Sequence, residues 1–206
     1  MVRLSPLRLP YAGSGFLRGT THLQWVRRWT LQILVWLAAI GISPVQAQVS
    51  REYDLKAVLL YNLVQYTEWP PVVFSTPDSP LVIGVLGRDP FGKSLDEVVR
   101  GETNNQHRIV VERYQTVSMA RNCHILFIST SEREKLPAIL AELKGRPVLT
   151  VDDADKLAPR GGMVRLYTSQ EGKIRLRVNL TTVKSAGLSL SSKLLRVAEI
   201  VEPEKN

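Results

Sequence analysis

Apolar and polar positions along residues 54–201 alternate between two periods, one near 3.6 and one of 2. Leu55, Val58, Leu59, Leu63, Tyr66 and Trp69 fall at helical spacing, which predicts a helix over 54–69 that Pro70-Pro71 stops. Leu81 to Leu86 is a continuous apolar run, the pattern of a strand buried on both faces. It leads into Gly87-Arg88-Asp89-Pro90, a turn expected to open a helix over 90–100 with Asp89 as N-cap and Pro90 at the first helical position. Strands follow at 108–114, 123–128 and 147–151. Between them lie a short helix near 117–121 and a helix over 132–144 with Leu136, Ile139, Leu140 and Leu143 on one face. Met163 to Thr168 and Lys173 to Leu180 form a hairpin around Gln170-Glu171-Gly172, and a helix over 189–201 closes the chain. Strands that alternate with helices imply right-handed crossovers. The expected fold is therefore α/β: a single-domain three-layer α/β sandwich, with a mostly parallel sheet and an antiparallel C-terminal hairpin as its edge.

The segment before this pattern belongs to a different class. Residues 1–47 hold Arg3, Arg8, Arg18, Arg27 and Arg28 and no acidic residue, then the apolar run Trp29 to Ile42, then Ser43-Pro44-Val45-Gln46-Ala47. Basic region, apolar region and small residues at the cut are the order of a secretory signal, with cleavage expected after Ala47. The apolar run is too short to span a bilayer, which takes about 20 residues, so no direct membrane insertion is expected after cleavage. Removing 1–47 also changes the charge. The whole chain carries 27 basic against 19 acidic residues, but five of the basic ones lie in the signal, leaving 22 against 19. Residues 48–206 then form one domain, nearly neutral and without a basic stripe interleaved with aromatics, so nucleic acid is not an expected partner.

Gly87 to Ser94 spells Gly-x4-Gly-Lys-Ser, the pattern of a phosphate-binding loop. The intervening residues contradict that chemistry. Asp89 would repel a phosphate, Pro90 has no N–H to offer one, and none of the four is glycine. An exported chain also meets little ATP. Lys93 and Ser94 are read as incidental occupants of an exposed first helical turn.

With the elements placed, a family resemblance emerges. Lys56-Ala57-Val58-Leu59-Leu60-Tyr61-Asn62-Leu63 with Glu68-Trp69-Pro70, and Ile83-Gly84-Val85-Leu86-Gly87 with Asp89-Pro90-Phe91-Gly92, resemble the exported YfiR family. So do Cys123-His124-Ile125-Leu126-Phe127-Ile128, Pro147-Val148-Leu149-Thr150-Val151, Gly161-Gly162-Met163-Val164, Val178-Asn179-Leu180, and Ala186-Gly187-Leu188 with Ser191-Ser192. The resemblance implies a periplasmic signalling protein without catalytic activity or cofactor. Its expected partner is the periplasmic sensor domain of an inner-membrane diguanylate cyclase or a related sensor protein. Binding would hold the cyclase inactive, and release would raise cyclic di-GMP and favour biofilm. A second copy of the chain is a further candidate partner. The alternative function is a small-molecule sensor module, with ligand beside the carboxyl ends of the parallel strands near Gly87, Asp89, Phe91 and Ser129.

Characterised relatives carry cysteine pairs, whereas Cys123 is the single cysteine here, so no internal disulfide can form. It is expected to be a buried apolar residue, the alternative being an intermolecular bridge or a reactive thiol. His107 and His124 lack metal-ligand spacing, and no metal site is expected. Asp152, Asp153 and Asp155 lack the glycine turn and distal Glu of a calcium loop and are expected to cap a short helix before Lys156-Leu157. Ser129 lacks the flanking glycines of a nucleophile elbow.

The candidate partner surface is the hairpin. Period two sends Ile174, Leu176, Val178 and Leu180 to one face and Lys173, Arg175, Arg177 and Asn179 to the other. Met163, Arg165 and Tyr167 share a face of the other strand. Together with Arg175, Arg177 and Val183 they make the candidate partner contacts, since Arg, Tyr and Met are enriched at interfaces. Where Arg177 stands, relatives often carry an acidic residue, which would change the charge a partner must match.

Overall fold

All six residues of Leu81–Leu86 are buried, and the sheet grows outward from this strand on both sides. The computed structural model describes residues 44–153 and 162–201, and those from Val45 onward belong to one compact unit. In chain order, α1 is Pro44–Gln65, β1 Thr67–Glu68, β2 Leu81–Leu86, α2 Ser94–Val99, β3 Thr103–Asn104, β4 His107–Tyr114 and β5 Ile125–Ile128. Then come α3 Leu136–Glu142, β6 Leu149–Asp152, β7 Val164–Thr168, β8 Ile174–Asn179, α4 Leu180–Ser185, β9 Ser189–Leu190, α5 Ser192–Leu195 and β10 Glu199–Val201. Short 3₁₀ turns occupy Pro71–Val73, Val117–Ala120 and Thr130–Lys135.

The main sheet runs β10-β8-β7-β6-β5-β2-β4-β3, and β1 and β9 pair separately. Neighbours are parallel except at the β7–β8 hairpin and the β3–β4 pair. Alternate residues of β2 serve two cores, which is why its sequence has no polar phase. Leu81, Ile83 and Val85 face the first core with α1, α2 and α4, while Val82 and Leu86 join Leu126, Ile128 and the α3 residues Leu136 and Ile139 in the second. Gly84 makes room in that second core, because a Cβ there would sit 2.7 Å from Tyr114 Cε2. The sheet class and the hairpin are those the periodicity predicts.

Four elements differ from the sequence expectation, some for a local reason and some because a distant strand or charge decides them. Helix α1 stops at Gln65 and the chain extends at Thr67–Glu68, where β1 pairs with β9. Its buried stripe is Lys56, Ala57, Leu60, Leu63 and Val64, leaving Leu55 and Val58 exposed; an ammonium can enter this stripe because Asp153 meets it there. Helix α2 begins at Ser94 instead of Pro90, since Asp89 Oδ1 accepts from Phe91 N–H at 2.7 Å and closes a turn that Gly92 continues at φ 55°. The helix expected over 132–144 is a 3₁₀ turn followed by α3, and Pro137 sits at the start of α3, where no N–H is needed.

The expected helix over 189–201 is the largest correction. The segment divides into β9, α5 and β10, and β10 lies parallel beside β8, so the hairpin is one strand in from the sheet's edge. Asp152, the last residue of β6, pairs with Arg165, and Asp153 pairs with Lys56; the helix they were expected to cap falls outside the described residues. Asp155, Lys156 and Leu157 lie outside the described residues, as does the expected signal except for 44–47 in the first turn of α1.

Candidate functional site

Charged side chains form a row across four adjacent strands on the face of the sheet opposite the first core. Asp152 of β6 is in register with Arg165 of β7, Arg165 with Arg177 of β8, and Arg177 with Glu199 of β10. Strand alternation produces it: Val151, Val164, Leu166, Leu176 and Val178 point into the first core, so the residues between them point the other way. Two arginines directly opposite each other repel, and a carboxylate at each end offsets that. Arg165 Nε lies 2.9 Å from Asp152 Oδ1, and Arg177 Nη2 lies 3.0 Å from Glu199 Oε2.

An aromatic residue braces the outer half of the row. The Tyr167 hydroxyl donates to Glu199 Oε2 at 2.9 Å, and the Arg177 guanidinium stands 5.0 Å from the centre of the Tyr167 ring. Arg177 beside it holds the Glu199 carboxyl below its ordinary range, and that carboxylate in turn raises the Tyr167 hydroxyl. Arg175 is cross-strand from Tyr167, and among the described residues its ion-pair partner is Glu171, at 3.9 Å. The second core stops short of this region, for its strand residues come from β2, β4 and β5 and none from β7, β8 or β10. Arg175, Arg177, Tyr167 and Glu199 are accordingly open to solvent in part or in full.

The structure thus brings together Arg165, Tyr167, Arg175 and Arg177 of the expected contacts, but not Met163 or Val183. Those two are buried in the first core, Val183 completely, because Met163 precedes β7 on its inner side and Val183 is the inward residue of α4. Glu199 was missed because a helix was expected there. No signal in the sequence pairs Glu199 with Arg177; that contact exists only through strand register.

The candidate ligand residues lie at the carboxyl ends of β2 and β5, joined by Arg88 N–H donating to Ser131 Oγ at 2.9 Å. Gly87 adopts φ 87°, and a Cβ there would collide with Ser131 Oγ. Their polar groups are engaged within the chain. Asp89 pairs with Arg113 at 2.8 Å, and Ser129 caps the following turn by accepting from Ser131 N–H. Phe91 is a core side chain, edge-on to Phe127 at 4.7 Å and to Tyr53 at 5.6 Å. Lys93 is exposed, and Ser94 Oγ donates to Asp54. Cys123 is buried in the second core, and burial pushes its thiol up to about 12.

The family model described as YfiR/HmsC-like matches residues 53–199, from the middle of helix α1 to the first residue of β10. The chain belongs to the YfiR/HmsC-like family. Curated proteins offer no match. YfiR/HmsC-like proteins are periplasmic regulators of cyclic di-GMP and biofilm signalling, regulatory instead of catalytic, and they act with membrane signalling partners. Among the described residues no helix of this YfiR/HmsC-like chain is long and apolar enough to cross a membrane, and no group of three His, Cys, Asp or Glu side chains is placed to hold a metal ion.

Proposed function

We propose that this chain is an exported repressor subunit that docks on the periplasmic sensor domain of an inner-membrane diguanylate cyclase and holds the enzyme inactive. The observation that carries the reading is the open β7–β8–β10 face, where Tyr167 and Arg177 are held rigid by Glu199 and Arg175 projects beside them. Pre-ordered aromatic and arginine side chains lose little entropy on binding, which makes them suited to anchor an interface. Family membership supports a regulatory role in cyclic di-GMP signalling.

Deleting the gene in the organism that carries it is expected to raise cyclic di-GMP, and wild-type protein to lower it again. Arg175→Glu together with Arg177→Glu is expected to fail to restore repression while still accumulating in the periplasm. Unchanged cyclic di-GMP after deletion would end the repressor reading, and full repression by the double variant would move the interface elsewhere.

A further inference from the structure

Residues 69–80 cross the amino ends of the parallel strands as a proline-rich strap between β1 and β2, and their anchors converge on two histidines. Trp69 Nε1 donates to the His124 carbonyl at 3.2 Å, and His107 Nδ1 donates to the Ser79 carbonyl at 2.8 Å. The Phe74 ring is sandwiched between the two imidazoles, 3.8 Å from His107 and 4.8 Å from His124, while Trp69 meets His124 edge-on at 5.9 Å. Among the described residues, the remaining hydrogen bonds of the strap are internal to it, linking Ser75, Thr76 and Ser79 and the turn at 70–74.

His124 differs from His107 in what a second proton would do. Its Nδ1 accepts from Val82 N–H at 3.1 Å, so the ring is held as the neutral Nε2–H tautomer. The residue is buried, 5% exposed, and among the described residues Nε2 has no hydrogen-bond partner. A proton on Nδ1 would set N–H against N–H and place a charge in an apolar site. A proton on His107 leaves its bond to Ser79 intact, because Nδ1 already donates there, and the cation would stack on Phe74.

The geometry points to residues 69–80 as an acid-released strap. Protonation of His124 breaks its bond with Val82 N–H and frees Phe74 and Trp69 from the edge of the first core. The packing supports the direction, since burial, with the His107 charge adding to it, pushes His124 down to about 4. The groups that face the ring are His107 from β4, Trp69 and Phe74 from the strap, and the Val82 backbone from β2. Of these only His107 has an ionisable side chain. Such a device would let an exported regulator respond to acid in a compartment open to the medium, with or without a cyclase as its partner.

Tryptophan fluorescence tests this, because Trp69 is the one tryptophan after residue 47. In the full chain bearing Trp25→Phe, Trp29→Phe and Trp36→Phe, acrylamide quenching of Trp69 is expected to rise about threefold between about pH 7 and about pH 4, with far-UV circular dichroism unchanged. His124→Asn, whose amide oxygen can still accept from Val82 N–H, is expected to keep quenching low throughout. Should that variant not fold, the wild-type imidazole resonances serve instead, and the quenching midpoint must coincide with the titration of His124. Quenching that stays flat, that rises only as circular dichroism is lost, that rises equally in His124→Asn, or whose midpoint departs from that of His124 would overturn the proposal.

Discussion

Lys56 Nζ lies 2.7 Å from Asp153 Oδ2, and both side chains are almost sealed from water at 4% and 2% exposure. The pair ties the first core helix to the residue that follows β6, across 97 positions of sequence. Glu52 adds a second carboxylate at 2.8 Å, and the ammonium also sits 4.5 Å from the centre of the Tyr53 ring. Removing one member of such a pair strands the other. Lys56→Met is expected to cost about 3 kcal/mol or more, and Lys56→Met with Asp153→Asn markedly less than the two single costs combined. Urea denaturation of the four proteins measures the coupling, and additive losses would show that the two charges act independently.

Gly84 is the position where β2 gives way to Tyr114. Gly84→Ala puts a methyl group 2.7 Å from Tyr114 Cε2, with Leu126 Cδ1 at 3.0 Å on another side. Overpacking of this kind costs about 1–3 kcal/mol, and Tyr114→Leu in the same chain is expected to recover part of it. Thermal unfolding would reveal the compensation; a Gly84→Ala protein as stable as wild type would mean that the second core yields more easily than its packing suggests.

Stability is expected to fall with acid in a defined window. His124 has a folded-state pKa of about 4, below its ordinary 6.5, so the unfolded chain binds the proton first. The contribution is fully present above about pH 6.5 and is lost as pH falls toward about 4, amounting to about 2 kcal/mol once partial solvent screening is allowed for. Urea midpoints of wild type and His124→Asn measured across that range should converge toward acid if the histidine is responsible. Parallel curves would place the acid sensitivity on other groups.

Cys123 is expected to be inert in the folded protein. With the thiol pushed up to about 12 and packed in the second core, iodoacetamide at about pH 8 should label it at least about a hundredfold more slowly than in urea. Rapid labelling of the native protein would contradict the burial of this side chain.

Much of the sheet was legible in the sequence because its signals are local. Leu81 to Leu86 and Ile125 to Ile128 are apolar in both phases, which marks strands covered on two sides, and the alternation of 173–180 separates its arginines from its core residues without reference to any partner. The helix stripe was misjudged at Lys56, where a charge is buried only because Asp153 arrives from far along the chain. The segment 189–201 was misjudged because its short apolar stretches suit a helix as well as strands. Their state is set by the open edge of β8 and by β1, not by their own spacing.

The candidate site divides the same way. Composition and period alone determined that Arg165, Tyr167, Arg175 and Arg177 share a polar face, since consecutive residues of a strand must point to opposite sides. Only the tertiary structure decided that Met163 and Val183 belong to the core, that Asp152 and Glu199 close the two ends of the arginine row, and that Phe74 lies between His107 and His124. Each of those contacts joins residues on different strands or loops. Register and crossover, which no local spacing encodes, fix which of them meet.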